Sequence, residues 1–144
     1  IADYEMEAQR PGCRLVHASP CEPNRWHYIL TMDEATVAFE NFDEPLCFFG
    51  HTHVPAIYNL SQDGRIRHQT GHDFDPDEEA RYLVNVGSVG QPRDHDARAS
   101  YVLYDTEMKS ISYRRVAYDI AATQIKMKAA QMPDKLIERL EVGR

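Results

Sequence analysis

With 144 residues, 42% of them hydrophobic and 10% aromatic, the chain can bury roughly two thirds of its unfolded surface as one domain and is too apolar for disorder. A formal charge of −7 with no long Lys/Arg block excludes the electrostatic footprint of a nucleic-acid binder, since Tyr113-Arg114-Arg115 is too short a basic patch. No run approaches the roughly 20 apolar residues of a membrane span, and Cys13, Cys21 and Cys47 lie in no CxxC pair, so neither a disulfide framework nor a cysteine zinc site is indicated and a cytoplasmic setting is expected.

Residues 14–17 follow the turn signal Pro11-Gly12 and predict a short buried strand ending in His17, ahead of a Ser19-Pro20 loop. Residues 33–42 predict a helix capped by Asp33 with Ala35, Ala38 and Phe39 on its inner face. The continuous apolar run 46–49, bounded by Pro45 and Gly50, is the pattern of a strand covered on both faces. Residues 54–60 and 65–69 flank SQDG as a hairpin, and the acidic stretch 70–81 predicts a solvated loop. Strands are predicted at 82–86, 100–105 and 110–116. Beyond Tyr118 the period changes: Ala121, Ile125 and Ala129 form an apolar stripe, and Pro133 opens a second helix carrying Leu136, Ile137 and Leu140, with Gly143 near its end. This order predicts a mixed α/β sheet with helices packed on it.

The segment FGHTHVP places His51 and His53 two residues apart after an apolar strand. In extended chain such residues lie about 6.6 Å apart and point the same way, so each can serve one of two metal ions held roughly 3.5 to 4 Å apart. Gly50 is expected to supply the sharp turn before them. His17, also at a strand end, becomes a third nitrogen ligand if its strand neighbours the 46–49 strand. A single histidine after a strand is more often a hydrogen-bonded or solvated side chain than a ligand, and spacing alone leaves both readings open.

VHASP at 16–20, FGHTHVP at 49–55 and NVGSVGQPRDHDARAS at 85–100, in that order, resemble the C-terminal half of the calcineurin-like metallophosphoesterase superfamily, above all its small bacterial and archaeal phosphoesterases. The resemblance implies a four-layer α-β-β-α sandwich of which this chain is one half. It implies that His17 and His51 serve one metal and His53 the other, with two divalent ions of Mn, Fe, Ni or Zn favoured over Mg by the imidazole ligands. Asn85, Gly87 and Ser88 match the loop that usually reads Asn-Pro-Gly-Ser, with Val86 in place of the proline, and Asn85 and Ser88 are expected, with Arg93, as substrate contacts. Gln91 and Arg93 match the same segment; Arg93 suits a phosphate, and equally suits a pairing with Asp94 or Asp96 that holds the loop, which is the preferred expectation.

The Asp-x-His, Gly-Asp and Gly-Asn-His/Asp motifs that open such proteins, and that would supply the bridging carboxylate and the leaving-group acid, do not occur in the sequence. Together with the start at Ile1 and the lack of a signal-peptide pattern, this leads to the expectation of a C-terminal part of one domain whose N-terminal half is a partner in the site, inactive by itself. The expected function is metal-dependent hydrolysis of phosphate mono- or diesters. The alternatives are a non-catalytic scaffold of the same fold and a lone-metal binder using His17, His51 and His53; the oligomeric state stays open.

VGSVGQ lacks the glycine of a nucleophile elbow and the lysine of a P-loop, and DFDPDEE lacks the glycine and spacing of a calcium loop. His27, His68, His72 and His95 are expected at the surface, and Trp26 and Tyr28 are expected to pack rather than to rim a cleft.

Overall fold

Two continuous apolar runs form the centre of the molecule, whose computed structural model describes residues 5–144; the chain start at Ile1 lies outside them. Strand β3 (Leu46–Phe49) is buried along its whole length, and β6 (Arg81–Asn85) along all but its first residue. Side chains alternate across a strand, so Cys47, Phe49 and Leu83 enter one core while Leu46, Phe48, Tyr82 and Val84 enter a second on the opposite face. Each fully buried Leu or Phe here contributes about 1.5–3 kcal/mol. The apolar runs thus record a sheet covered on both sides, as the sequence predicts.

The sheet has six strands in the order β1 (Glu7–Arg10), β2 (Cys13–Val16), β3, β6, β4 (Ala56–Leu60), β5 (Ile66–Thr70). β2, β3 and β6 run parallel, while β1, β4 and β5 pair antiparallel with their neighbours. Helix α1 (Met32–Phe39) is the crossover between β2 and β3 and packs Ala35, Ala38 and Phe39 on the first face. β7 (Ala99–Asp105) and β8 (Ser110–Val116) form a separate antiparallel pair whose Ile111, Val102, Tyr104 and Tyr113 cover the second face. The result is a mixed α/β fold with a helix on one side of the main sheet and a small second sheet on the other.

Several local expectations are corrected. Helix α1 is capped by Thr31 rather than Asp33: the Thr31 hydroxyl accepts from Glu34 N (3.3 Å) while the Glu34 carboxylate accepts from Thr31 N (2.8 Å), a reciprocal box worth about 1 kcal/mol. The loop 70–80 is solvated at its carboxylates but pinned by Phe74, which bridges to Ile111 in both directions (3.0 and 2.9 Å). Helix α2 (Ile120–Ala129) exists, yet its Ala121–Ile125–Ala129 stripe faces solvent, with Ile125 69% exposed. Its half-buried face is Ile120, Thr123, Gln124 and Met127, where Gln124 Nε2 donates to Ile137 O (2.9 Å) and the Thr123 hydroxyl to Asp119 O (3.0 Å). Apolar periodicity is blind to a face whose polar groups are satisfied by hydrogen bonds. The second helix is shorter than its pattern, α3 (Asp134–Glu138) giving way to a 3₁₀ turn at Arg139–Glu141.

Candidate metal centre

Parallel pairing brings the C-terminal ends of β2, β3 and β6 to one edge, the place where ligand loops of open α/β sheets collect. His17 directly follows β2, His51 follows β3 by two residues, and Asn85 ends β6. The loops are stitched together through the backbone: Gly50 N donates to His17 O (3.0 Å) and Val86 N to Phe49 O (2.9 Å). These contacts set His17 Nε2 3.1 Å from His51 Nδ1, although 34 residues separate them in the chain. At this separation the two nitrogens either share one proton or turn both lone pairs toward a single cation.

The His-Thr-His segment is not extended. His51 (φ 64°) and His53 (φ 63°) are both left-handed, while Gly50 has no positive φ, so the turn expected of the glycine is made by the histidines themselves. The cause is the residue between them. Thr52 is 7% exposed; its N–H donates to Gly50 O (2.7 Å) and its hydroxyl oxygen accepts from Asn85 Nδ2 (2.8 Å) and Val54 N (3.2 Å). With Thr52 locked inward, the flanking backbone takes a conformation that non-glycine residues rarely adopt and that clusters at functional sites.

Asn85 is the keystone of this loop. Only 1% exposed, it also donates from Nδ2 to Gly50 O (2.9 Å) and accepts Gly87 N at Oδ1 (2.9 Å). Its amide is therefore satisfied inside the fold and supports the histidines from beneath. Gly87 has a φ of 79°, and a Cβ there would meet Ser100 Oγ at 2.5 Å, so glycine is required. Ser88 turns the chain, its hydroxyl oxygen accepting from Gln91 N (2.9 Å) and Gly90 N (3.2 Å).

His53 Nδ1 lies 2.7 Å from Gln91 O, which makes this nitrogen the protonated donor and leaves Nε2 with a free lone pair, the arrangement that orients a metal-ligating imidazole. Arg93 pairs with neither Asp94 nor Asp96: those carboxylates engage Arg115 and Arg98. Instead Arg93 N donates to His53 O (3.1 Å) and its Nε and Nη2 to Gln91 Oε1 (3.2 and 2.8 Å). Its positive charge is near enough to hold down the proton affinity of His51 and His53. Burial is the larger cause of that lowering in both rings, followed for His51 by the charge of His17 and for His53 by the Gln91 carbonyl, which works in the opposite direction. Neutral imidazoles, which keep a lone pair for a cation, are thereby favoured.

All three histidines line one cleft of about 450 Å³, together with Ser88 and with apolar residues such as Val86 and Tyr101. Trp26 and Tyr28 lie outside this lining and pack against the imidazoles, 43% and 45% exposed, with ring centroids 4.5 Å (Trp26 to His17) and 4.1 Å (Tyr28 to His51) apart. Their isolated positions in the sequence gave no signal for this. His27, His68, His72 and His95 are exposed, as expected.

The imidazoles fit a divalent ion that favours nitrogen, by their lone pairs and by the carbonyl behind His53. Among the described residues, however, no three His, Cys, Asp or Glu side chains come together closely enough to hold a metal between them. Nor, among the described residues, is any helix long and apolar enough to cross a membrane.

No family model matches the sequence. The uncharacterized protein MJ0912 of Methanocaldococcus jannaschii is 38% identical over 128 residues, which is 89% of this chain and 50% of that protein. A metallophosphoesterase from Sphaerobacter thermophilus has a solved structure that superposes with a TM-score of 0.85 at 37% identity, over 99% of this chain and 59% of its own. The hypothetical protein PH1004 from Pyrococcus horikoshii OT3 shares the fold at a TM-score of 0.66 and 18% identity, over 99% of this chain and 52% of its own. The chain spans about half the length of the relatives it matches. Motif order, histidine placement and this structural likeness together relate the chain to the calcineurin-like metallophosphoesterases.

Proposed function

We propose that this chain forms part of a metal-dependent phosphoesterase, hydrolysing phosphate mono- or diesters, with His17, His51 and His53 as ligands of two divalent ions. The observation that carries the reading is the 3.1 Å approach of His17 to His51 from separate loops at the end of adjacent parallel strands. Mn, Fe, Ni or Zn suits these ligands better than Mg. Such ions, when bound, supply Lewis acidity at the phosphoryl oxygens and make water acidic enough to attack near neutral pH.

The chain's own residues have distinct tasks in this reading. Arg93, held by Gln91 through Nε and Nη2, keeps Nη1 without a protein partner among the described residues and offers it to a phosphoryl oxygen. Asn85 and Thr52 fix the histidine loop, and Ser88 lines the same cleft. Further carboxylate ligands and a leaving-group acid would come from the remainder of the domain. The alternative, a non-catalytic scaffold, would leave converging neutral imidazoles and an arginine aimed near them without a purpose.

The test is His51→Ala in the intact protein, assayed on an aryl phosphodiester with added Mn²⁺. Loss of a direct ligand should lower turnover by more than the roughly 10- to 100-fold typical of supporting groups. Unchanged turnover would remove His51 from the site and the reading with it.

A further inference from the structure

Trp26 and Tyr28 bear on a second cavity. It measures about 510 Å³, within the range of small-molecule sites, and is lined by both rings together with Ser19, His27, Asp33 and Val37, but by neither His17 nor His51. The two aromatic rings are thus a shared wall, touching the imidazoles on one side and bounding this cavity on the other. The backbone is strained to build it: Glu22 (φ 46°) and Trp26 (φ 57°) bracket the 3₁₀ turn Pro23–Arg25 in left-handed conformations, costly for a residue as bulky as tryptophan.

The chemistry of the lining selects a cation. Aromatic faces attract positive charge through their quadrupole. Among the described residues Asp33 makes no ion pair or side-chain hydrogen bond, whereas Glu34, also at the cavity, is occupied by the amides of Leu30 and Thr31. Two carboxylates outweigh the roughly half positive charge at the N-terminus of α1 and would repel a phosphate from this side. Ser19, 3% exposed, accepts from Cys21 N (3.1 Å) and has a hydroxyl proton with no acceptor among the described residues.

We propose that the Trp26–Tyr28 cavity is a subsite for an organic cation, the ammonium or quaternary ammonium end of the alcohol in a phosphoester whose phosphoryl group sits at the histidines. The substrate class rests on the phosphoesterase reading; the cation subsite rests on the cavity. The Tyr28 and His51 rings are in contact (4.1 Å between centroids), so the linker of such an ester has to pass around this ring pair to join the two positions.

Trp26 is the only tryptophan in the chain, so indole fluorescence reports on this wall directly. The chain is titrated with choline, with its neutral isostere 3,3-dimethyl-1-butanol and with adenosine. Choline should change the emission saturably and bind about 2- to 30-fold more tightly than the isostere, the range of cation–π attraction. Asp33→Asn and, separately, Tyr28→Leu should each weaken choline and leave the isostere unchanged. Equal binding of choline and isostere, tighter binding of adenosine, or indifference to Asp33→Asn overturns the proposal. Sedimentation with phosphatidylcholine vesicles separates the two sources of such a cation: choline binding without co-sedimentation assigns a soluble ester, and co-sedimentation that choline competes away assigns a lipid headgroup. Choline carries no phosphate, so its binding without metal-dependent turnover overturns only the phosphoesterase reading, while turnover without choline binding overturns only this subsite.

Discussion

Two Gly-His dipeptides, Gly50-His51 and Gly71-His72, look alike in the sequence and behave oppositely in the fold. His51 follows a parallel central strand, is left-handed, and meets His17, Trp26 and Tyr28. His72 follows the antiparallel edge strand β5, lies exposed, and has Nδ1 turned back on the O of Thr70 at the end of that strand (2.8 Å). The glycines invert this order. A Cβ on Gly50 would find its nearest neighbour at a comfortable 3.7 Å, whereas one on Gly71 would strike Pro55 Cβ and Tyr113 Cε1 at 2.6 Å. In one dipeptide the histidine joins a cluster of rings and the glycine is spare; in the other the glycine is needed for packing and the histidine lies in solvent. What separates them is the strand that precedes each.

The sharpest way to break the comparison is to exchange the histidines for alanine. His51→Ala should abolish most turnover, as above, while His72→Ala in the same assay should match the parent protein; a loss from His72→Ala would put the second dipeptide in the site. Next in size come the glycines. Gly71→Ala should destabilise by about 1–3 kcal/mol through overpacking, and Gly50→Ala by well under 1 kcal/mol, read from urea midpoints. Gly87→Ala, which combines a 2.5 Å clash at Ser100 Oγ with a positive φ, should cost about 3 kcal/mol or more. A tolerant Gly87 would mean that the loop beneath the histidines is not rigid.

Much of this was legible in the letters, and the reasons are specific. The unbroken apolar run at Leu46–Phe49, bounded by Pro45 and Gly50, read as a strand covered on both faces and 82–86 as a strand, while the parallel pairing of β2 with β3 and of β3 with β6 is set by contacts distant in the chain. His17, His51 and His53 were singled out by strand-end position and motif order, and they share one cleft. The left-handed turn was misplaced onto Gly50 because local sequence does not reveal that Thr52 is anchored by Asn85 from a strand 33 residues away. Arg93 was expected to pair with Asp94 or Asp96, but those carboxylates engage Arg115 and Arg98, and Arg93 turns to the Gln91 side chain instead. Trp26 and Tyr28 carried no pattern at all: their role arises from a 3₁₀ turn folding them onto imidazoles contributed by other strands.

The smallest expected effect concerns the same Arg93–Arg98 loop. Hydrogen bonding from the Arg98 side chain holds the Asp96 carboxyl down to about 2, with the Arg115 charge assisting. A carboxyl depressed in the folded state lends stability above its unfolded pKa, near 3.9, and loses it as the pH falls through the folded value. Asp96→Asn should therefore remove part of the acid sensitivity between pH 4 and about 2 and leave the histidine cleft unaltered at neutral pH; acid-unfolding curves of the two proteins check this.

In the proposed function, histidines from two loops form a cation-binding edge. Isothermal titration of Zn²⁺ into the chain at neutral pH tests it most directly, using the parent, His17→Ala, His51→Ala and His72→Ala. Saturable binding that weakens at least about tenfold in His17→Ala and His51→Ala and persists in His72→Ala is the predicted result. Equal affinity in all four proteins, or no saturable binding in the parent, would contradict the account.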